Sequence, residues 1–244
     1  MDFPFIYETF LEIIPGIPLT LQLAIGSVSL GFFLALGLAL MQLSTYRILQ
    51  SIARTYVLFF RGTPLLVQLF LIYYGLGQFT WVRESVLWPV LREPYWCALL
   101  SLSLCTGAYA SEIIRGGLQS VPDGQIEAAR ACGMPRRMIF KRIIFPLAIR
   151  QALPAYGNEL ISMIKSTSLA SIITLMEITG IAARIIAETY RALEVFLVAG
   201  AIYLFINLIL TRLLMWAEFT MTPHLRAPGA SSTAKKIKKL GDLQ

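Results

Sequence analysis

The chain has 244 residues, 57% of them hydrophobic and only 14% charged, with a formal net charge of +7. A soluble domain carries about a quarter charged residues, so this composition argues against a water-facing globule and for lipid as the solvent. Three scattered cysteines (Cys97, Cys105, Cys132) and one histidine (His224) leave little for a disulfide framework, a zinc site or imidazole chemistry.

Met1 is followed by Asp2, Glu8 and Glu12, without the positive leader of a secretory signal, so an uncleaved first span with its N-terminus outside is expected. A hydrocarbon core about 30 Å thick requires roughly 20 apolar residues as a helix, and five stretches meet that demand. The first runs from about Ile17 to Leu43 and carries Ser27, Gly31, Ala35 and Ala39 at spacings of four. Such a small-residue stripe lets a neighbouring helix approach closely. The second runs from about Tyr56 to Phe79. Thr63-Pro64 predicts a kink in it, because proline frees a backbone carbonyl, and Gln68 follows one turn on. Thr63 and Gln68 are therefore candidates for a cavity-lining path. The third covers about Tyr95 to Ile114, where Ser101, Cys105 and Ala108 lead down to Glu112. Packing with loop anchoring and a pore-lining role are both open for Glu112.

The fourth span is expected at about Tyr156 to Met176 and the fifth at about Val195 to Trp216. Lys and Arg set the orientation. Sixteen fall on inner segments if the N-terminus is outside, against Arg83, Arg92, Arg184 and Arg191 on outer ones, where they alternate with Glu84, Glu93, Glu177, Glu188 and Glu194. The basic charge thus belongs to an inner membrane face rather than to a nucleic-acid surface. The predicted fold is all-α: an integral membrane domain of five transmembrane helices over 1–221, with a cytosolic loop at about 119–146, and a flexible basic tail over 222–244.

The cytosolic loop holds the densest signal. Ser120-Val121-Pro122-Asp123 has the outline of a capping box, and a short helix then runs through Glu127, Ala128, Ala129, Arg130 and Cys132 to Gly133, a favoured C-terminal cap. Glu127 and Arg130 stand at i,i+3, where they can satisfy each other and a partner. Met134-Pro135 opens a second short helix, in which Arg136, Arg137, Lys141 and Arg142 alternate with Met138, Ile139, Phe140, Ile143 and Ile144. That is a basic, amphipathic, interface-lying pattern. Pro146 begins the approach to the fourth span.

Glu127-Ala128-Ala129, three residues, Gly133, nine residues, then Ile143 and Pro146 resembles the "EAA" loop of ABC-type importer permeases. The residue before the proline is usually Leu there and is Phe145 here. Phe60-Arg61-Gly62-Thr63-Pro64-Leu65, Ala108-Tyr109-Ala110-Ser111-Glu112-Ile113 and Leu153-Pro154-Ala155-Tyr156-Gly157-Asn158-Glu159 resemble the polar amino acid branch, particularly the M-type subunits of importers for histidine, lysine, arginine and ornithine and for opines. The resemblance implies a lever helix (Glu127, Ala128, Ala129, Arg130, Gly133, Ile143, Pro146) that docks into an ATPase. It also implies an assembly with a second, similar permease, two ATPase subunits and a periplasmic substrate-binding protein in the bacterial inner membrane. This chain has no G-x-x-x-x-G-K-[ST] phosphate loop, so ATP and Mg are assigned to the partner and no cofactor to this subunit.

Ionisable groups at membrane depth mark functional candidates. In the fourth span, Glu159, Ser162, Met163 and Ser166 fall on one helical face, with Asn158 and Lys165 on an adjacent one. A carboxylate beside hydroxyls suits an ammonium or guanidinium group, so Glu159, Ser162 and Ser166 are candidates for the substrate path. The alternative is that Glu159 anchors Arg150 or the loop. Lys165 opposes a cationic cargo unless it meets a carboxylate, which leaves basic amino acids and opines both open. A secondary carrier or channel has no use for the capped loop helix, and a membrane enzyme would need convergent catalytic groups that the spans lack.

Overall fold

The structure is a computed structural model that describes residues 2–221, so the basic tail expected over 222–244 lies outside the described residues. The order is α1 (Phe3–Ile13), α2 (Ile17–Gln42), α3 (Arg47–Gly62), α4 (Leu65–Phe70), α5 (Thr80–Arg83), α6 (Trp88–Leu91), α7 (Pro94–Gln119), α8 (Asp123–Ala131), α9 (Arg136–Ile139), α10 (Phe145–Ser166), α11 (Ile178–Thr189) and α12 (Ala192–Met221). Three helical runs among the described residues are long and apolar enough to cross a membrane, or up to five if each of two bent pairs is one span.

The first, third and fifth expected spans coincide closely with α2, α7 and α12. α2 packs along α7, and its small-residue stripe lies at that interface: Ser27, Gly31, Ala35 and Ala39 are all buried. Small side chains here let two backbones approach closely, which dispersion rewards in lipid.

The second expected span differs from the sequence reading. α3 and the helical run Leu65–Gln78 meet at 103°, which is a corner rather than a kink. Thr63 is extended (φ −113°, ψ 144°) and so is Pro64 (ψ 134°), because a pre-proline residue is pushed out of the α region and proline donates no hydrogen bond. After α4 the helix widens into a π-type stretch over Leu71–Gly75.

The fourth expected span is displaced. Instead of Tyr156–Met176, α10 begins at Phe145, passes through Pro154 and ends at Ser166, where a 3-10 stretch, Thr167–Ile173, takes over. Thr174 is left-handed (φ 72°) and ends that stretch, and α11 follows at 46° to the preceding run. The polar residues Arg150 and Gln151 disguise the first half of α10 in a hydropathy reading. Helical packing against α7 and α12 keeps the segment regular nonetheless.

Glu177 is a correction as well. It was grouped with the outer-loop charges, yet it is fully buried (0% exposed) as the N-cap of α11. Its carboxylate accepts from Gly180 N at 2.9 Å, Tyr203 Oη at 2.6 Å and Thr20 Oγ1 at 3.4 Å, tying α2, α11 and α12 together. The same end of the molecule is closed by ion pairs from α1 and its neighbour Asp2, Glu12 to Arg184 at 2.9 Å and Asp2 to Arg191 at 3.1 Å.

Candidate functional site

The loop between α7 and α10 contains the helix α8, nine residues long. Its entry is not the capping box the sequence suggested. Ser120 Oγ donates back to Gly117 O at 2.8 Å, and the N-cap is Pro122, extended and without a side-chain cap. Asp123 in the first turn and Arg130 in the last complement the helix dipole. The exit follows the expectation. Gly133 adopts φ +76°, its N–H donates to Arg130 O at 2.9 Å, and Met134 N–H donates to Ala129 O at 3.1 Å. This is a Schellman cap, which requires a left-handed residue.

Only Ala129 of α8 is buried. Glu127, Ala128 and Arg130 are exposed, as is Gly133. Glu127 and Arg130 form no ion pair with each other, contrary to the sequence reading, so both polar ends face outward. α8 rests on α9 and on the π-type stretch Phe140–Ile144, which feeds straight into α10. Ile143 and Pro146 are half-buried on that return segment. The two roots of the loop are held close: a methyl on Gly117 of α7 would stand 2.8 Å from Ala148 O of α10.

The second cluster lies on α10 and on α7, against which it packs. On α10, Asn158, Ser162 and Lys165 form the exposed stripe, Glu159 and Ser166 are half-buried beside it, and Met163 is buried. The face expected from the helical wheel is thus rotated: Ser162 belongs with Asn158 and Lys165, while Met163 packs inward. Ser166 Oγ donates to Ser162 O at 2.9 Å, so its donor is already used. Among the described residues, no ion pair joins Glu159 to Arg150 and none involves Lys165. Glu112 is held by Arg115, Nη2 to Oε2 at 2.6 Å and Nε to Oε1 at 3.3 Å.

Gln68 is 3% exposed and braces the corner between α3 and α4. Its Nε2 donates to Phe60 O at 2.9 Å, Thr63 O at 3.1 Å and Thr63 Oγ1 at 2.9 Å. Proline frees carbonyls here, and Gln68 satisfies them. Thr63 and Gln68 therefore bond to each other across the corner between α3 and α4. Replacing Gln68 with Leu leaves buried carbonyls unpaired at roughly 1–3 kcal/mol each. A lower melting temperature of the detergent-solubilised protein is expected, and unchanged thermal stability would contradict the bracing role.

Sequence reasoning missed two features: the buried Glu177 knot, and Arg61 stacked 5.1 Å from the Tyr109 ring centroid. Both depend on which helices meet. The only local hint was a carboxylate immediately before the apolar run Ile178–Ala182. An apolar groove of about 480 Å³ between α2, α10 and α12 is lined by residues such as Leu21, Ile25, Leu160 and Phe205. It is suited to hydrocarbon and lies away from these charged groups.

The sequence model of the family described as "binding-protein-dependent transport system inner membrane component" matches residues 27–222. The chain belongs to this family. The permease is 60% identical over 222 residues to an octopine transport system permease protein of Rhizobium meliloti, covering 91% of each chain. It is 57% identical to a nopaline transport system permease protein of Agrobacterium fabrum, covering 93% of this chain and 95% of the other. An arginine ABC transporter permease protein of Haemophilus influenzae is 42% identical, with 87% and 93% covered. Among solved structures, an amino acid ABC transporter crystallised with histidines superposes with a TM-score of 0.80 at 37% identity, covering 89% of this chain and 98% of that one. A methionine ABC transporter in an inward-facing conformation shares the fold, with a TM-score of 0.68 at 16% identity over 91% of this chain and 100% of that one. The permease is thus a multi-pass inner-membrane transport subunit.

Proposed function

We propose that this permease carries polar amino acids or opines into the cytoplasm, driven by ATP hydrolysis in partner subunits that grip α8. The observation that carries this reading is the Schellman-capped, outward-facing α8, whose roots on α7 and α10 are packed together. The substrates named for the similar permeases, octopine, nopaline and arginine, support the cargo class. In this assembly the chain pairs with a second, similar permease, two ATPase subunits that bind ATP and Mg, and a periplasmic substrate-binding protein. The N-terminus lies outside and the C-terminus in the cytoplasm, as the excess of inner Lys and Arg supports. ATPase closure moves α8, and the motion passes as a rigid-body shift into α7 and α10.

The path runs along the open stripe of Asn158, Ser162 and Lys165, with Glu159 beside it and Glu112 towards the inner end of α7. Reconstituted uptake of arginine, histidine, ornithine and opines, measured with and without ATP and the motor subunits, tests the reading as a whole. Uptake that needs neither would establish a carrier instead. Glu159→Gln, in an assembled complex, is expected to weaken cargo affinity or rate roughly tenfold or more, since hydrogen bonds to charged groups contribute about 1.5–3 kcal/mol. Unchanged affinity and rate would remove Glu159 from the path.

A further inference from the structure

We propose that the return segment of the loop, residues 136–144, docks the headgroup of an anionic phospholipid of the inner leaflet, an inference that rests on the cytoplasmic placement of the loop. Arg136, Arg137, Met138, Phe140, Lys141 and Arg142 line an open cleft of about 960 Å³, and all six are exposed. Among the described residues none of these four cations enters an ion pair. No Asp or Glu occurs in the sequence between Glu127 and Glu159, so the chain itself offers no nearby neutralising charge.

The cleft has a fixed floor and an apolar mouth. Ile139, between the basic pairs, is 3% exposed and pins the segment. The stretch Phe140–Ile144 packs on α8 and α9 and runs without a break into α10. Phe140 and Phe145 are each 49% exposed, with ring centroids 6.0 Å apart. The two halves of the loop differ in what they can receive. The mixed charges of α8, Asp123, Glu127 and Arg130, suit a protein surface. A cleft with cations alone beside exposed Met138 and Phe140 suits a molecule that is anionic at one end and hydrocarbon at the other.

Its depth fits as well. Gly117 lies roughly 35 Å along α7 from Pro94, against a hydrocarbon core of about 30 Å, which places it among the inner headgroups. A methyl on Gly117 would stand 2.8 Å from Ala148 O, so Ala148 shares that level. Arg142 precedes Ala148 by six residues, about 9 Å of helix. Long basic side chains there reach an anionic surface within one Debye length.

The test titrates the purified, detergent-solubilised complex with phosphatidylglycerol or phosphatidylcholine and reads bound lipid by native mass spectrometry. The wild type is expected to bind phosphatidylglycerol more tightly, with a preference that shrinks as salt rises. Lys141→Gln/Arg142→Gln should weaken phosphatidylglycerol roughly 25-fold, at about fivefold per cation, and leave phosphatidylcholine unchanged. Arg136→Gln/Arg137→Gln provides an independent pair with the same expected loss. Arg47→Gln/Arg54→Gln, which removes equal charge from α3, should change far less. Glycerol phosphate, the headgroup without chains, should not compete at matched concentration.

No preference in the wild type, a preference that survives both cleft pairs, or an equal loss in the α3 pair overturns the proposal. So does competition by glycerol phosphate, which would make the cleft a site for a soluble anion. The same spectra show whether the ATPase subunits stay bound. Their loss with unchanged lipid affinity would assign the cleft to the motor. Labelling of the exposed Cys132 by a membrane-impermeant maleimide outside intact cells would overturn the loop's placement itself.

Discussion

Replacing Gly133 with valine is expected to stop ATP-driven uptake while the membrane helices remain folded. The residue sits at φ +76° and closes the Schellman cap through hydrogen bonds from its own N–H to Arg130 O and from Met134 N–H to Ala129 O. A left-handed conformation costs an L-residue roughly 1–2 kcal/mol, and a β-branched one more. α8 has only nine residues and one buried side chain to offset that cost. Its last turn is therefore expected to unwind and the exposed Glu127 and Arg130 to lose their mutual placement. Uptake in vesicles should fall at least tenfold, and cargo should no longer stimulate ATP hydrolysis. Gly133→Asn should retain much of both activities, because asparagine visits the left-handed region readily. Equal uptake by the valine variant would show that α8 is not the lever.

Glu177→Ala is expected to be the most destabilising single change in the transmembrane region. The carboxylate caps α11 through Gly180 N and receives hydroxyls from Tyr203 on α12 and Thr20 on α2, in a site with no exposure. Removing it leaves Gly180 N without its acceptor and takes the nearest partner from Tyr203 Oη, while Thr20 Oγ1 keeps Gly16 O at 3.1 Å and Tyr203 Oη keeps Thr179 Oγ1 at 3.2 Å. Each lost bond costs roughly 1–3 kcal/mol, and a void opens beside Ile178 of the apolar core. Loss of about 3 kcal/mol or more follows, read as a sharp fall in the melting temperature of the purified complex and in its yield. Glu177→Gln keeps an acceptor for Gly180 N and the volume of the side chain, so it should lose much less. An alanine variant as stable as the wild type would show that the knot contributes little.

The two ends of the permease differ in what holds them. At the α1 end, Glu177 and the ion pairs Glu12–Arg184 and Asp2–Arg191 bind four helices into one unit. At the α8 end, contacts are lighter and the polar side chains face out.

The loop was legible in the sequence because its signals are local. A proline that forces extended backbone, a run of helix formers and a glycine that must go left-handed act within a few residues of each other, and Pro122, Ala128, Ala129 and Gly133 sit where those rules place them. Spans α2, α7 and α12 were legible because solvation by lipid depends on apolar residues summed along one helix. The second span turned a 103° corner because the carbonyls around Pro64 are satisfied by Gln68 further along the chain, and the fourth was displaced because α10 packs against α7 and α12 despite the polar residues in its first half. Hydropathy assigns a polar group to water unless something non-local satisfies it. The same reason hid Glu177 and Arg61. The sequence by itself determined the lipid-embedded helices and the glycine-capped loop helix. Only the tertiary structure decided which charges are spent inside the frame and which remain open to a cargo, because that depends on the distance between helices far apart along the chain.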